Sequence, residues 1–186
     1  MSSTMTARQS GYALSALAVM AIGVAGTPTA AADNKRLNDG VVANVYTVQH
    51  QAGCTTDIKI NPKLRLAAQW HTDDVLNNRA LDGDIGSDGS TVADRARNAG
   101  YAGPVAETVA INPALAISGI ELINQWYYRP DYYAIMADCS NVDIGVWSAN
   151  LIDRTVVVAV YGKGDGAPPV QSPNREFGQP GAGAPG

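Results

Sequence analysis

The chain has 186 residues, a formal net charge of −4, and 46% hydrophobic against 16% charged residues. That length suits one domain with tails, and that apolar content builds a core, which excludes global disorder. No basic block occurs, so neither nucleic acid nor an anionic membrane surface is expected as a partner.

The N-terminus reads as an export signal. Arg8 supplies a positive start, ALSALAVMAIGVAG (Ala13 to Gly26) is apolar and uncharged, and TPTAAAD puts small residues where a signal peptidase cuts. We expect a signal peptide over residues 1–32, cut after Ala32. The apolar run is short for a bilayer span. An uncleaved anchor is the alternative; a lipoprotein anchor would need a cysteine near the cut, and none is there. The expected location is secreted or extracellular, with the cell envelope possible and no stable membrane span after cleavage. In an oxidising compartment the two cysteines, Cys54 and Cys139, are expected to form one disulfide. Free or intermolecular thiols are the alternative. The other end, from Gly162 to Gly186, is Gly- and Pro-rich with almost no apolar residues, and is expected to be a disordered tail. The folded span is then residues 33–161.

Within that span helices come first. LNDGVVANVYTVQHQ places Leu37, Val41, Val45 and Val48 at helical spacing, with Gly53 as the stop. NPKLRLAAQWHTDDVLNN opens with Asn61 as N-cap and Pro62 at the first helical position, and puts Leu64, Ala67, His71 and Val75 on one face. DGDIGSDGS (Asp82 to Ser90) is a loop. STVADRARNAG is a short helix capped by Ser90 or Thr91 and stopped by Gly100. PVAETVAI is a strand. NPALAISGIELINQWYYR is expected to start a helix at Asn112–Pro113 and run through Ile117, Ile120 and Ile123. PDYYAIM is a helical turn or two. VDIGVWSA and RTVVVAVYG are strands joined by the hairpin NLID. The order suggests an α+β domain.

The same pieces resemble the CAP superfamily: cysteine-rich secretory proteins, antigen 5 and pathogenesis-related proteins, in the short bacterial form. INPKLRLAAQWHTDDV resembles the helix "L..A..H...M". IGSDGSTVADRARNAGY resembles "H.GSDGS....R....GY". AETVAI sits at G-E-N-I, WYYRPDYYAIM at "W..S.GHR..M", and NVDIGVW at "..IGVG". The resemblance implies an α-β-α sandwich, a small antiparallel sheet between helical layers, and a cleft built on two histidines and two glutamates that can hold a divalent metal.

The acidic loop is a poor calcium site. In an EF-hand register from Asp82, Gly86 falls on the third ligand position and Ser87 on the turn glycine, and Ala93 stands where a bidentate carboxylate is needed. From Asp84, the register ends on Arg95. Turn chemistry and capping explain Asp82 and Asp88. On the family's cleft positions this chain carries Asp84 and Tyr132 in place of the histidines, Glu107 as the surviving glutamate, and Arg129 in place of the other. These four are the candidate ligand-binding set. An arginine repels a cation, and two carboxylates with a phenol make a weak transition-metal site. No metal or other cofactor is therefore expected. Arg129 is expected either to pair with Glu107 or Asp84, or to stay free for an anionic ligand beside Tyr127, Tyr128 and Tyr132. His71 is expected to be a packed, hydrogen-bonded histidine. No nucleophile elbow or catalytic residue is found.

Three functions compete. The first is a monomeric, non-enzymatic module binding a lipid-like or peptide ligand, a ligand class that comes from the resemblance alone. The second is an envelope structural or interaction domain without a ligand. The third is a metal-dependent hydrolase, which the histidine losses argue against.

Overall fold

The computed structural model describes residues 29–113 and 117–166, with side chains from residue 34 onward. The part of the expected signal peptide up to Pro28 and the tail beyond Gly166 lie outside the described residues. Helix α1 spans Thr29–Gln51 and ends before Gly53, whose φ of +90° suits glycine. It begins before Leu37 because the alanines upstream are strong helix formers. Strand β1 (Lys59–Ile60) precedes α2 (Pro62–Asn77), where Asn61 caps the helix by accepting from Lys63 N. Helix α3 (Val92–Asn98) has a reciprocal capping box between Thr91 and Asp94 and stops at Gly100, with φ of +87°. Strand β2 is Val105–Asn112, α4 is Gly119–Tyr127, α5 is Pro130–Met136, β3 is Asp143–Leu151 and β4 is Arg154–Gly162.

The sheet order is β1-β3-β4-β2. β4 runs antiparallel to both β2 and β3, and the β3–β4 hairpin closes at Leu151 opposite Arg154. The short β1 pairs parallel with β3. The three long strands are antiparallel, as expected, and the short parallel β1 at the edge makes the sheet mixed. A two-residue strand carries too little signal to be read from sequence.

Strand alternation sorts the core. Val157, Ala159 and Tyr161 of β4 face one side, with Val41, Val45 and Val48 of α1, Leu122 and Trp126 of α4 and Met136 of α5. Val156, Val158 and Val160 face the other, with Leu64, Ala67, Ala68 and Val75 of α2 and Ala96 of α3. The layers are thus α1/α4/α5, sheet, and α2/α3. The first turn of α2 presses so closely on β3 that a Cβ at Gly145 would lie 2.0 Å from Arg65 N.

One helix starts later than expected. Asn112 ends β2 instead of opening a helix, and the N-cap of α4 is Ser118, which accepts from Glu121 N. In that register Leu122 and Trp126 point inward and Ile120 is 73% exposed, so the face read through Ile117, Ile120 and Ile123 is only partly buried. Asn112 is held in the β2–β4 ladder opposite Thr155, which overrides a local cap-Pro signal.

Cys54 and Cys139 are bonded, with Cα atoms 5.2 Å apart, joining the turn after α1 to the turn after α5. The bridge spans 85 residues, so removing it with a Cys54→Ala, Cys139→Ala pair should cost about 4.5 kcal/mol in the chain-entropy model. Chemical denaturation of the pair against the parent protein measures this. A loss near zero would mean that native-state strain, or structure kept by the reduced unfolded chain, offsets the loop-closure entropy.

Candidate functional site: a buried ion pair under the acidic loop

The alternation of β2 puts Val105, Glu107 and Val109 on the α2/α3 side and Ala106, Thr108 and Ala110 on the other. Glu107 is only 3% exposed, so its carboxyl needs a partner. Arg95 of α3 provides it: its guanidinium donates to Glu107 Oε1. The same guanidinium donates to the carbonyls of Asp84 at 2.9 Å and Ser90 at 2.8 Å. His71 of α2 completes the cluster, its Nε2 lying 3.8 Å from Glu107 Oε1 and donating to Gly83 O at 3.0 Å. The Asp82–Ser90 loop is thus fastened by two side chains that both lie against Glu107. Its carbonyls, and not its aspartates, make the connection.

The cluster's electrostatics follow from burial. Burial pushes Glu107 up to about 8 against the pull of Arg95, and Asp84 adds to the rise. Burial, then the Arg95 charge, pushes His71 below its ordinary value, so it is neutral at neutral pH. Glu107 Oε2, His71 Nδ1 and Arg95 Nε have no hydrogen-bond partner among the described residues. The packed histidine expected from sequence is what the structure contains.

The other expected site residues are divided by the sheet. Tyr132 is buried on the α5 side, edge-on to Trp126 with ring centroids 6.4 Å apart, and its hydroxyl is pushed up by burial. Arg129 precedes α5, is exposed, donates to Asp131 Oδ2 at 2.7 Å, and lies 3.6 Å over the Tyr132 ring. The expected Arg129–Glu107 pair is therefore corrected. Glu107 points into the α2/α3 layer, whereas Arg129 lies on the α5 side and finds an acid two residues away. Asp84 is exposed, and its charge acts on Glu107, His71 and Tyr132. The residue overlooked in the sequence is Arg95, although it stands in the quoted motif, IGSDGSTVADRARNAGY, at the arginine of the family pattern.

These residues do not fit a divalent metal. The oxygen of Glu107 nearest His71 is taken by a guanidinium, and among the described residues no three His, Cys, Asp or Glu groups are arranged as ligands.

The pair can be measured. Measured above pH 8, where the Glu107 carboxyl is ionised, Arg95→Met leaves a buried charge without its partner and should cost roughly 3 kcal/mol, while the double variant with Glu107→Leu should cost much less. A double-mutant cycle in denaturant decides it; additive losses would show that the two do not act together. Arg129→Ala, an exposed pair, should cost no more than about 1 kcal/mol in the same experiment.

The pH dependence has a defined sign. A carboxyl whose folded pKa is raised contributes stability that is complete below the unfolded value and is lost as pH rises toward 8. His71, with a lowered pKa, contributes stability that is lost as pH falls below its ordinary range. Tm should therefore decline from about pH 6.5 to 8, where only Glu107 of this pair titrates, and Glu107→Gln should flatten that slope. An equal slope in both proteins would place the titration elsewhere.

No protein-family model and no curated protein matches the sequence. Solved structures do match in shape. An outer surface protein of Borrelia burgdorferi superposes with a TM-score of 0.60 at 15% identity, over 69% of this chain and 92% of that one. An extracellular protein of Bacillus anthracis containing an SCP domain gives 0.61 at 12% identity, over 73% of this chain and 43% of that one. A cysteine-rich secretory protein of Staphylococcus aureus gives 0.51 at 12% identity, over 70% and 39%. This chain thus matches nearly all of the first and less than half of the other two. With two helical layers on a four-stranded sheet and these neighbours, the chain has the fold of the SCP, or CAP, domain.

Proposed function

We propose that this domain is an exported, non-enzymatic binding module of the CAP type, holding a lipid-like or peptide ligand without a metal. The observation that carries the reading is the state of Glu107. The carboxyl at the cleft's surviving acidic position is 3% exposed and bound to Arg95, so it is closed off from any substrate as a general base. A depression of about 560 Å3 beside α4 supports ligand binding, because its wall mixes Ile120 and Tyr128 with Asn124, Gln125 and Arg129. Export is supported by the apolar N-terminal run, the disulfide, and the extracellular or outer-surface neighbours. Among the described residues no helix is long and apolar enough to cross a membrane. The ligand class itself comes from the resemblance to the family.

Organic extraction of the purified protein followed by mass spectrometry tests the reading, alongside thermal melts with micromolar zinc. The expected outcome is a co-purified amphiphile or peptide, reduced by Ile120→Asp, and no change in Tm with zinc. A chelator-reversible rise in Tm would move the reading to a metal-dependent one. An empty extract would favour an envelope interaction domain without a ligand.

A further inference from the structure

We propose that the pocket between α2 and the Asp82–Ser90 loop is a saccharide site that takes a pyranose ring. The pocket is separate from the α4 depression, and Glu107, Asp84, Arg129 and Tyr132 are not among the residues that line it. Its volume of about 320 Å3 falls at the small end of ligand sites.

Trp70 forms one wall and is 41% exposed, an indole left in water on a helix whose other face is packed. One helical turn along, Asp74 is locked in place. Ser87 N donates to its Oδ2 at 2.7 Å and Ser87 Oγ to its Oδ1 at 2.6 Å. Asp88 Oδ1 accepts from Ser90 N at 2.8 Å. Gly86 lets these groups converge: a Cβ there would lie 2.7 Å from Ser90 Oγ, 2.8 Å from Asp88 Oδ1 and 3.2 Å from Asp74 Oδ2. Asn98 adds an amide at the rim. From the buried side the pocket is lined by Arg95, 4% exposed, whose Nε–H has no acceptor among the described residues.

The chemistry selects the ligand. Two carboxylates argue against an anion. A metal ion is disfavoured because Arg95, a fixed cation, lines the same pocket and both Asp74 oxygens already accept hydrogen bonds from Ser87. What is left is an aromatic face beside fixed acceptors, hydroxyls and an amide. A pyranose with equatorial hydroxyls is the complement: a flat C–H face for the indole, and hydroxyl groups that both donate and accept.

An NMR titration of the 15N-labelled protein with cellotetraose and chitotetraose, each to about 10 mM, tests this directly. The expected result is saturable shifts of the Trp70 indole N–H and the Ser87–Ser90 amides with at least one tetramer. Trp70→Ala should weaken binding at least about tenfold, Asp88→Asn should weaken it severalfold, and Ile152→Ala, at the exposed β3–β4 turn, should leave it unchanged. Asp88→Asn carries the test if Trp70→Ala does not fold. Glucose run beside the tetramers distinguishes a free sugar from a polymer as the source. The proposal is overturned by no saturable shift with any of the three sugars, or by shifts that survive both pocket variants. A tetralysine peptide that binds the same resonances more tightly than the sugars would also overturn it, in favour of cation recognition.

Discussion

The contact on which the rest of this molecule depends is the buried hydrogen bond from the Arg95 guanidinium to the Glu107 carboxyl. A carboxyl on an edge strand, in the same row as two valines, is buried under a helix layer and would be intolerable there alone. Arg95 answers it, and from the interior it also donates to the loop carbonyls of Asp84 and Ser90. One guanidinium therefore ties together a strand, a helix and a loop. His71 does the same from α2, through Gly83. The acidic loop keeps its path because its backbone is hydrogen-bonded to side chains, so it has little freedom to act as a metal loop.

That arrangement changes what the cleft can be. In a catalytic carboxyl, burial tunes the pKa while one oxygen stays reachable from solvent. Here burial tunes the pKa and also closes access. The raised pKa of Glu107 is then felt in stability, as a dependence on pH. Arg129, by contrast, lies in water over the face of Tyr132 and beside Asp131, where its charge is available at little structural cost.

Much of this was legible in the sequence because it rests on local chemistry. Asn61–Pro62, Thr91 with Asp94, and Gly53 and Gly100 mark helix ends through capping and left-handed backbone, and these marks survive folding. The alternation of β2 correctly put Glu107 in a row with Val105 and Val109. What alternation alone cannot supply is which helix layer each row meets. Arg95 and Arg129 are both cations near the same strand, and choosing between them requires knowing on which side α3 and α5 pack. The start of α4 was misread for a related reason. Asn112–Pro113 is a sound local cap signal, but the ladder with β4 claims Asn112 first. The parallel pairing of β1 was invisible because two residues have no periodicity.

The position of β4 has a consequence for how the chain comes together. β4 is the last strand among the described residues, yet it lies in the interior of the sheet between β3 and β2, and every residue in it is buried. Both cores are completed by its side chains, valines on one side and Val157, Ala159 and Tyr161 on the other. A chain emerging from its N-terminus can form its helices early, but β2 has no neighbour to pair with until residues 154–162 arrive. Its native partner is more than 40 residues downstream, and such non-local pairing is slow to form. Truncation even a few residues into this strand would remove the middle of the sheet, whereas the same trimming at an edge strand such as β1 would only fray it.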